Sequence, residues 1–180
     1  MIKEKYKGMI MKQSIGTMNI FDEFFEKEKF NVVIEIGTKP GVFALYLSEK
    51  SMEYEFKFIT LDIRKPNIKI LDMIKENGGL FFMTDVFDTK LIDYELSKSH
   101  CRVLILNDGG LKEPVFRKYA PLLKVNDFIL SHDYEKDTLS GPNSGGISLF
   151  NVKDIIVKYN IEVIYEELFD KIFWLCCRRK

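Results

Sequence analysis

Residues 32–47 read VVIEIGTKPGVFALYL, and this stretch decides how the rest of the chain is interpreted. Its first five residues are apolar apart from one glutamate, which is typical of a strand buried on both faces of a parallel sheet. A loop over Gly37–Gly41 follows, and Phe43, Tyr46 and Leu47 then recur at helical spacing. The stretch therefore predicts a strand, a turn containing glycine and a helix.

Short apolar runs of the same kind recur along the chain and predict seven strands. They are Val32–Ile36, Phe56–Leu61, Leu80–Met83, Val103–Leu106, Phe128–Leu130, Ile161–Tyr165 and Ile172–Cys177. Segments with helical spacing alternate with these strands, which indicates a doubly wound α/β sheet with helices on both faces. Because only residues 166–170 separate the last two strands, we expect these two to pair as an antiparallel hairpin.

Length and composition predict a single domain over residues 1–180, beginning with an N-terminal segment and helix in residues 1–30. Lysine and arginine together number 27, as do aspartate and glutamate, and this balance argues against a nucleic-acid partner. No apolar run approaches the roughly 20 residues of a membrane helix, and the charged N-terminus is unlike a signal peptide. Three cysteines are too few for a disulfide framework, so we expect reduced thiols and a cytoplasmic location.

The loop after the first predicted strand contains the first candidate site residues. Gly37 is expected to let the backbone approach a ligand, and Gly41 starts the helix without side-chain obstruction. The G-x-G-x-x-G pattern of dinucleotide folds is absent, which argues against a nicotinamide dehydrogenase. The carboxylate of Glu35 instead suits a cationic ligand. An ordinary strand-to-helix turn remains the alternative for this loop.

Two aspartates follow the next two strands. Asp62 ends the second strand, where a carboxylate can accept hydrogen bonds from both hydroxyls of a ribose. Asp85 ends the third strand and can accept from the exocyclic amine of adenine. The alternatives are a turn cap over Arg64–Pro66 for Asp62 and a helix N-cap for Asp85.

Acidic residues at three successive strand ends resemble the class I S-adenosylmethionine (SAM)-dependent methyltransferases, whose sheet is Rossmann-like with an antiparallel terminal strand. More narrowly, three segments resemble the cephalosporin hydroxylase-like O-methyltransferase branch. They are Gly8–Gln13, Ile34–Leu47 (IEIGTKPGVFALYL) and Asn107–Asp133, which contains NDGG and FRKYAPLLKVNDFILSHD. The resemblance covers nearly the whole chain. It implies SAM as cofactor and O-methylation of a small hydroxylated acceptor, such as a sugar or a metabolite.

The resemblance also implies roles for individual residues. Four residues of the first loop would hold the methionine part of SAM, Asp62 the ribose and Asp85 the adenine. The complete set of candidate cofactor residues is Glu35, Gly37, Thr38, Gly41, Asp62, Ile63, Asp85, Val86 and Asp108.

Asp108 and Asp133 end the fourth and fifth strands, which are expected to be neighbours, so their carboxylates should face one crevice. Hard oxygen ligands of this kind suit Mg²⁺ or Mn²⁺, and a metal there would lower the pKa of an acceptor hydroxyl. Asn107 and His132 are adjacent candidate ligands. The alternative is that each aspartate caps the loop that follows it.

The general base is where the sequence departs from the family pattern. Related O-methyltransferases often carry a histidine three residues after the fourth-strand aspartate, and here that residue is Leu111. Lys112 and His132 are the remaining candidates, and histidine is the better base near neutral pH. The departure leaves a second hypothesis open, that of a protein that binds SAM or a nucleoside without methyl transfer.

Two further expectations concern accessory features. The segment Tyr134–Gly146 is rich in glycine, serine, proline and asparagine and follows a strand end, so it is predicted to form a lid over the ligand. A small-molecule acceptor is expected, with no membrane partner, and the sequence leaves a homo-oligomer open.

Overall fold

The computed structural model describes residues 3–136 and 145–180, which form two sheets. A two-stranded sheet comes first, and a seven-stranded sheet follows. The strands are β1 (Lys3–Tyr6), β2 (Met9–Ser14), β3 (Val32–Ile36), β4 (Lys57–Asp62), β5 (Leu80–Met83), β6 (Val103–Asn107), β7 (Phe128–His132), β8 (Ile161–Val163) and β9 (Trp174–Arg179). The α-helices are α1 (Thr17–Lys27), α2 (Val42–Glu53), α3 (Ile68–Glu76), α4 (Leu91–Ser97), α5 (Lys112–Tyr119), α6 (Leu149–Lys158) and α7 (Glu166–Phe169).

The larger sheet has the strand order β5-β4-β3-β6-β7-β9-β8. Strands β3 to β7 pair in parallel, whereas β9 pairs antiparallel with both β7 and β8. The predicted doubly wound, mostly parallel, seven-stranded sheet with an antiparallel C-terminal strand is therefore confirmed. The predicted antiparallel pairing of the last two strands is confirmed as well, with β9 inserted between β7 and β8.

Helices cover both faces of this sheet, as the continuous apolar runs predict. Successive residues of a strand point to opposite faces, so Val33 and Ile34 of β3 belong to two different apolar clusters. The first cluster contains side chains of α1, α2 and α3, and the second contains side chains of α4, α5 and α6. Trp174 and Phe21 are both buried in the first cluster, as expected for core residues.

For one strand, the predicted burial on both faces is wrong. The run Leu80–Met83 does form β5, but Leu80, Phe82 and Met83 are 42%, 40% and 66% exposed. The reason is that β5 is an edge strand, whose one neighbour among the described residues is β4, so it is not enclosed as the central strands are. An apolar run in sequence thus does not separate a central strand from an edge strand.

The hairpin of β1 and β2 is absent from the sequence prediction, which expects an N-terminal segment and a helix there. Its turn has positive φ angles at Lys7 and Gly8, a combination that suits a two-residue hairpin turn. Met11 anchors the hairpin in the core, and the Tyr6 hydroxyl donates to Oε2 of Glu49 at 2.6 Å. The hairpin packs against α2 and so places Gln13 near the carboxyl edge of the large sheet.

Two further expectations concern membrane-spanning helices and the predicted lid. Within residues 3–136 and 145–180, no helix is long and apolar enough to cross a membrane. Most of the predicted lid Tyr134–Gly146, namely residues 137–144, lies outside the residues that the structure describes.

Candidate functional site

Three adjoining cavities follow the carboxyl edge of the parallel strands. The first has a volume of about 290 Å³ and the middle one about 230 Å³, and both are lined by Gly37, Lys39 and Asp108. The hairpin cavity, named for the hairpin of β1 and β2, has about 300 Å³ and shares Gln13 and His132 with the middle one. Because neighbouring cavities share their walls, the three form one groove, located where ligands bind in open α/β sheets.

The first cavity brings together the candidate residues that follow β4 and β5. Asp62, Ile63, Asp85 and Val86 all line it. Oδ2 of Asp62 accepts from the backbone N–H of Lys39 at 2.9 Å, and Oδ1 accepts from that of Arg64 at 2.8 Å. The carboxylate therefore does cap its turn, as the alternative interpretation held, yet each oxygen keeps a lone pair for a ligand hydroxyl.

The loop after β5 is shaped by two hydrogen bonds. Oδ1 of the exposed Asp85 accepts from the N–H of Phe87 at 2.9 Å, and the Tyr119 hydroxyl donates to the Val86 carbonyl at 2.8 Å. Asp85 is not the N-cap of α4, because that helix begins six residues later at Leu91, where the Thr89 hydroxyl accepts from the Leu91 N–H. The loop therefore leaves Asp85 facing the first cavity.

The middle cavity is lined by Glu35, a carboxyl group that is only 1% exposed. Thr60 donates its hydroxyl proton to Oε2 of Glu35 and accepts from the Thr38 hydroxyl at 2.6 Å. Oε1 has no hydrogen-bond partner among the described residues. Burial raises the pKa of Glu35 well above its usual range, the Thr60 hydrogen bond opposes this, and the charges of Asp108 and Asp62 add to it.

Glycine at position 37 is required by a close backbone contact. Gly37 has a φ of 102°, and a Cβ atom there would lie 2.6 Å from the backbone nitrogen of Gly109. The sequence interpretation reserves this space for a ligand, whereas in the structure the loop after β6 occupies it. Gly41 has a φ of 107° as the N-cap of α2, and a Cβ there would press on Ile70 at 3.0 Å.

His132 lies between the middle cavity and the hairpin cavity and lines both. Its Nδ1 atom lies 2.9 Å from Oδ1 of Asp108 and 3.4 Å from Oδ1 of Asp133. Because carboxylates only accept hydrogen bonds, Nδ1 carries a proton, and in the neutral form of the ring the lone pair is then on Nε2. The expectation that Asp108 and Asp133 face one crevice is confirmed, with His132 between them.

Two residues that the sequence interpretation missed complete the surroundings of Asp108. Gln13 donates Nε2–H to Oδ2 of Asp108 at 2.7 Å and accepts from the indole N–H of Trp174 at 3.4 Å. The Trp174 ring packs on His132 with 5.0 Å between ring centroids, and the two residues pair across β7 and β9. No sequence signal singles out Gln13, because its role depends on a hairpin packed against the far end of the chain.

Lys112 is the first residue of α5, and its side chain is 3% exposed. Its ammonium donates to the Gly109 carbonyl and lies 3.1 Å from Oδ2 of Asp133. Asn107 is fully buried and donates its amide to the Lys112 carbonyl at 2.8 Å, so it fixes the start of α5 instead of facing the groove.

The three predicted metal ligands do come together, but they bind other groups of the protein. Nδ1 of His132 faces both Asp108 and Asp133, and the Lys112 ammonium holds the second oxygen of Asp133. Within residues 3–136 and 145–180, no group of three or more acidic, histidine or cysteine side chains is arranged to hold a metal ion. The arrangement therefore does not fit a divalent cation.

Comparisons with known proteins bear on the fold. No family model matches the chain, and no curated protein sequence matches it. Solved structures do: CmcI with Mg and SAM has a TM-score of 0.66 at 15% identity, over 98% of this chain and 76% of that one. CalS11, a TDP-rhamnose 3'-O-methyltransferase, has a TM-score of 0.58 at 12% identity, over 91% and 76%. The plantazolicin methyltransferase BpumL in complex with SAH has 0.50 at 12%, over 91% and 82%.

This chain has the fold of the SAM-dependent methyltransferases. The polar groups that line the groove match the chemical groups of SAM. Asp62 and Asp85 offer oxygen acceptors in the first cavity, and Glu35 presents a buried, unpartnered oxygen in the middle one. At one end the groove offers acceptors for hydroxyl and amine groups, which fit an adenosine. At the other end it offers an acid for a cation, which fits a methionine.

Proposed function

We propose that this protein is a SAM-dependent O-methyltransferase acting on a small hydroxylated acceptor such as a sugar or a metabolite. The observation that supports this most is the position of His132, which lines both the middle cavity and the hairpin cavity. A base between a cofactor cavity and an acceptor cavity is the arrangement that methyl transfer to oxygen needs.

The candidate residues would hold the two parts of the cofactor in two neighbouring cavities. Asp62 would accept from the ribose hydroxyls and Asp85 from the adenine amine, while Ile63 and Val86 would border the adenine. Glu35 would face the cationic methionine end, with Thr38 and Gly41 shaping that cavity. When bound, SAM supplies a methyl group on a positively charged sulfur.

The acceptor would occupy the hairpin cavity, whose volume of about 300 Å³ suits a small molecule. Nε2 of His132 would take the proton of the acceptor hydroxyl as its oxygen forms a bond to the methyl carbon. Asp108 would hold the ring in this tautomer through Nδ1 and stabilise the positive charge that His132 acquires. Lys12 and Phe173, which line the same cavity, would contact the acceptor.

Assistance by Mg²⁺ or Mn²⁺, which the sequence predicts, competes with activation of the acceptor by His132 alone. Two carboxylates at neighbouring strand ends support it, and a structure of CmcI contains Mg together with SAM. The ion pair between Lys112 and Asp133 argues against it. Transfer measured in the presence of a strong chelator would decide between a metal and His132 as the means of activating the acceptor.

A protein that binds SAM without transferring its methyl group is the alternative. Calorimetric titration with SAM, followed by a screen of hydroxylated acceptors with methyl-labelled SAM, separates the two. Binding with transfer supports the proposal, and binding without transfer to any sugar or metabolite supports the alternative. Failure to bind SAM would contradict the proposal and would leave only a nucleoside-binding protein as the alternative.

The remaining proposals concern partners and location. The zero formal net charge supports a small molecule over a nucleic acid as acceptor. The three cysteines are free, which supports a reducing, cytoplasmic location. Homo-oligomer formation stays a prediction that light scattering of the purified protein can test.

A further inference from the structure

A buried ammonium group stands beside the proposed acceptor site. Lysine side chains are almost never fully buried unless they are paired, and Lys112 is 3% exposed. Its two partners are the Gly109 carbonyl and the carboxylate of Asp133, each on a loop that follows a strand of the large sheet. The lysine thus joins the ends of β6 and β7 where a metal ion was expected.

We propose that the Lys112 ammonium replaces a divalent cation at this edge of the sheet. It neutralises Asp133 and fixes the loops after β6 and β7, so that the site is complete without a metal ion. Lys112 is a positioning residue in this proposal, because its buried head group acts through Asp133. The part of the proposal that concerns catalysis rests on the proposed methyltransferase function.

The partners of Lys112 are held in place from several sides. The backbone of Gly109 packs against Gly37, where a Cβ would lie 2.6 Å away, and the N–H of Asp108 donates to the Ile36 carbonyl at 2.9 Å. Asn107 holds the Lys112 carbonyl at 2.8 Å. Release of the ammonium would therefore break its contacts to Gly109 and Asp133.

Charge supports the same conclusion. Asp108 and Asp133 supply two negative charges, and Lys112 supplies one positive charge beside them. A divalent cation on the same carboxylates would lie near the Lys112 ammonium and would be repelled by it. The lysine and a metal ion therefore compete for Asp133.

A similar pair of contacts, made by a more exposed lysine, occurs at the opposite end of β7 and provides a control. Lys124 donates to the Leu96 carbonyl at 2.8 Å and lies 2.9 Å from Oδ2 of Asp127, just before β7 begins. Lys124 joins two segments of the chain as Lys112 does, but it lies far from the groove. A purely structural role for Lys112 predicts the same behaviour for both lysines.

The test compares Lys112→Gln, Lys112→Arg and Lys124→Gln with the unmodified protein, using Mn²⁺ alone as the probe and electron paramagnetic resonance to count free Mn²⁺. We expect no binding to the unmodified protein, Lys112→Arg or Lys124→Gln. We expect Lys112→Gln to bind Mn²⁺ with an affinity at least about tenfold above the detection limit that the unmodified protein sets, the usual scale of such changes around metal ligands. In transfer assays, only Lys112→Gln should become sensitive to a chelator.

Mn²⁺ binding to the unmodified protein, or loss of its transfer activity in a chelator, would overturn the proposal. So would a folded Lys112→Gln variant that gains no Mn²⁺ affinity. If Lys112→Gln does not fold, Mn²⁺ binding to Lys112→Arg would still overturn the proposal. Because Mn²⁺ binding is measured without an acceptor, the result also stands if methyl transfer itself is never observed.

Discussion

The Nδ1 atom of His132 lies 2.9 Å from Oδ1 of Asp108, so the ring and the carboxylate form a hydrogen-bonded pair inside the groove. The other oxygen of Asp108 accepts from Gln13, which leaves the carboxylate little freedom to rotate. A carboxylate held in this way fixes both the tautomer and the direction of an imidazole ring. In the neutral ring this tautomer has its lone pair on Nε2, as the proposed role of His132 as a base requires.

We predict that Asp108→Asn lowers kcat for methyl transfer about 100-fold or more, the range of a lost general base. An asparagine can present its amide N–H to Nδ1, which would move the ring proton to Nε2 and remove the base. The ¹⁵N chemical shifts of the His132 ring report the tautomer directly. A variant with the altered tautomer and unchanged kcat would contradict the role of His132.

We predict that Asp62→Ala weakens SAM binding by about 1.5–3 kcal/mol, the contribution of hydrogen bonds to a charged group. Calorimetry measures the affinity, and a thermal unfolding curve shows whether the loss of the turn cap has disturbed the fold. Asp88→Ala is the control, because Asp88 is exposed on the nearby loop and does not line the first cavity. Equal affinities for the two variants would remove Asp62 from the cofactor site.

We predict that SAM affinity rises with pH because of Glu35. Burial raises the pKa of this carboxyl in the free protein, and a cationic ligand beside it favours the charged form and lowers the pKa again. Affinity should therefore rise by up to about tenfold per pH unit between the pKa of the complex and that of the free protein, and level off above.

Glu35→Gln is the control for this effect, since it keeps the shape of the side chain without its titration. The SAM affinity of this variant should lack the rise with pH that is assigned to Glu35. The stability of the free protein provides a second measurement. A carboxyl whose pKa is raised in the folded state makes the fold less stable as the pH rises towards that pKa. Parallel pH profiles for the two proteins would exclude Glu35 as the titrating group.

We predict that Gly37→Ala lowers the free energy of unfolding by about 2–4 kcal/mol. A positive φ costs about 1–2 kcal/mol for a residue with a Cβ, and the collision with the Gly109 backbone adds a similar amount. Gly8→Ala separates the two causes, because Gly8 has a φ of 77° and nothing within 4 Å of an added Cβ. Equal losses in urea unfolding would show that the contact with Gly109 carries no cost.

The central strands, and the proximity of the acidic residues at their carboxyl ends, were predictable from sequence for a physical reason. Strands β3, β6 and β7 are buried on both faces, so most of their positions up to the carboxyl end hold apolar residues, and Val32–Ile36 appears with its exact bounds. Parallel strands then bring their carboxyl ends to one edge, which places Asp62 near Asp85 without knowledge of any contact.

The hairpin and its contribution to the site could not be predicted in the same way. Of the six residues of β2, Met11 is the only apolar one that is fully buried, so the apolar pattern is weak. Gln13 reaches Asp108 across 95 positions of sequence. The contact of Lys112 with Asp133 likewise depends on how two loops approach each other, which no local pattern records.

The insertion of β9 next to β7 has a consequence for synthesis of the chain. The candidate cofactor residues up to Val86 are all made in its first half, whereas Trp174, which packs on His132 and binds Gln13, is made near its end. The contact between Gln13 and Trp174 spans 161 positions, and such long-range contacts form late. A growing chain would therefore contain Asp62 and Asp85 well before Trp174, and the surroundings of His132 would be complete only once the last strand is in place.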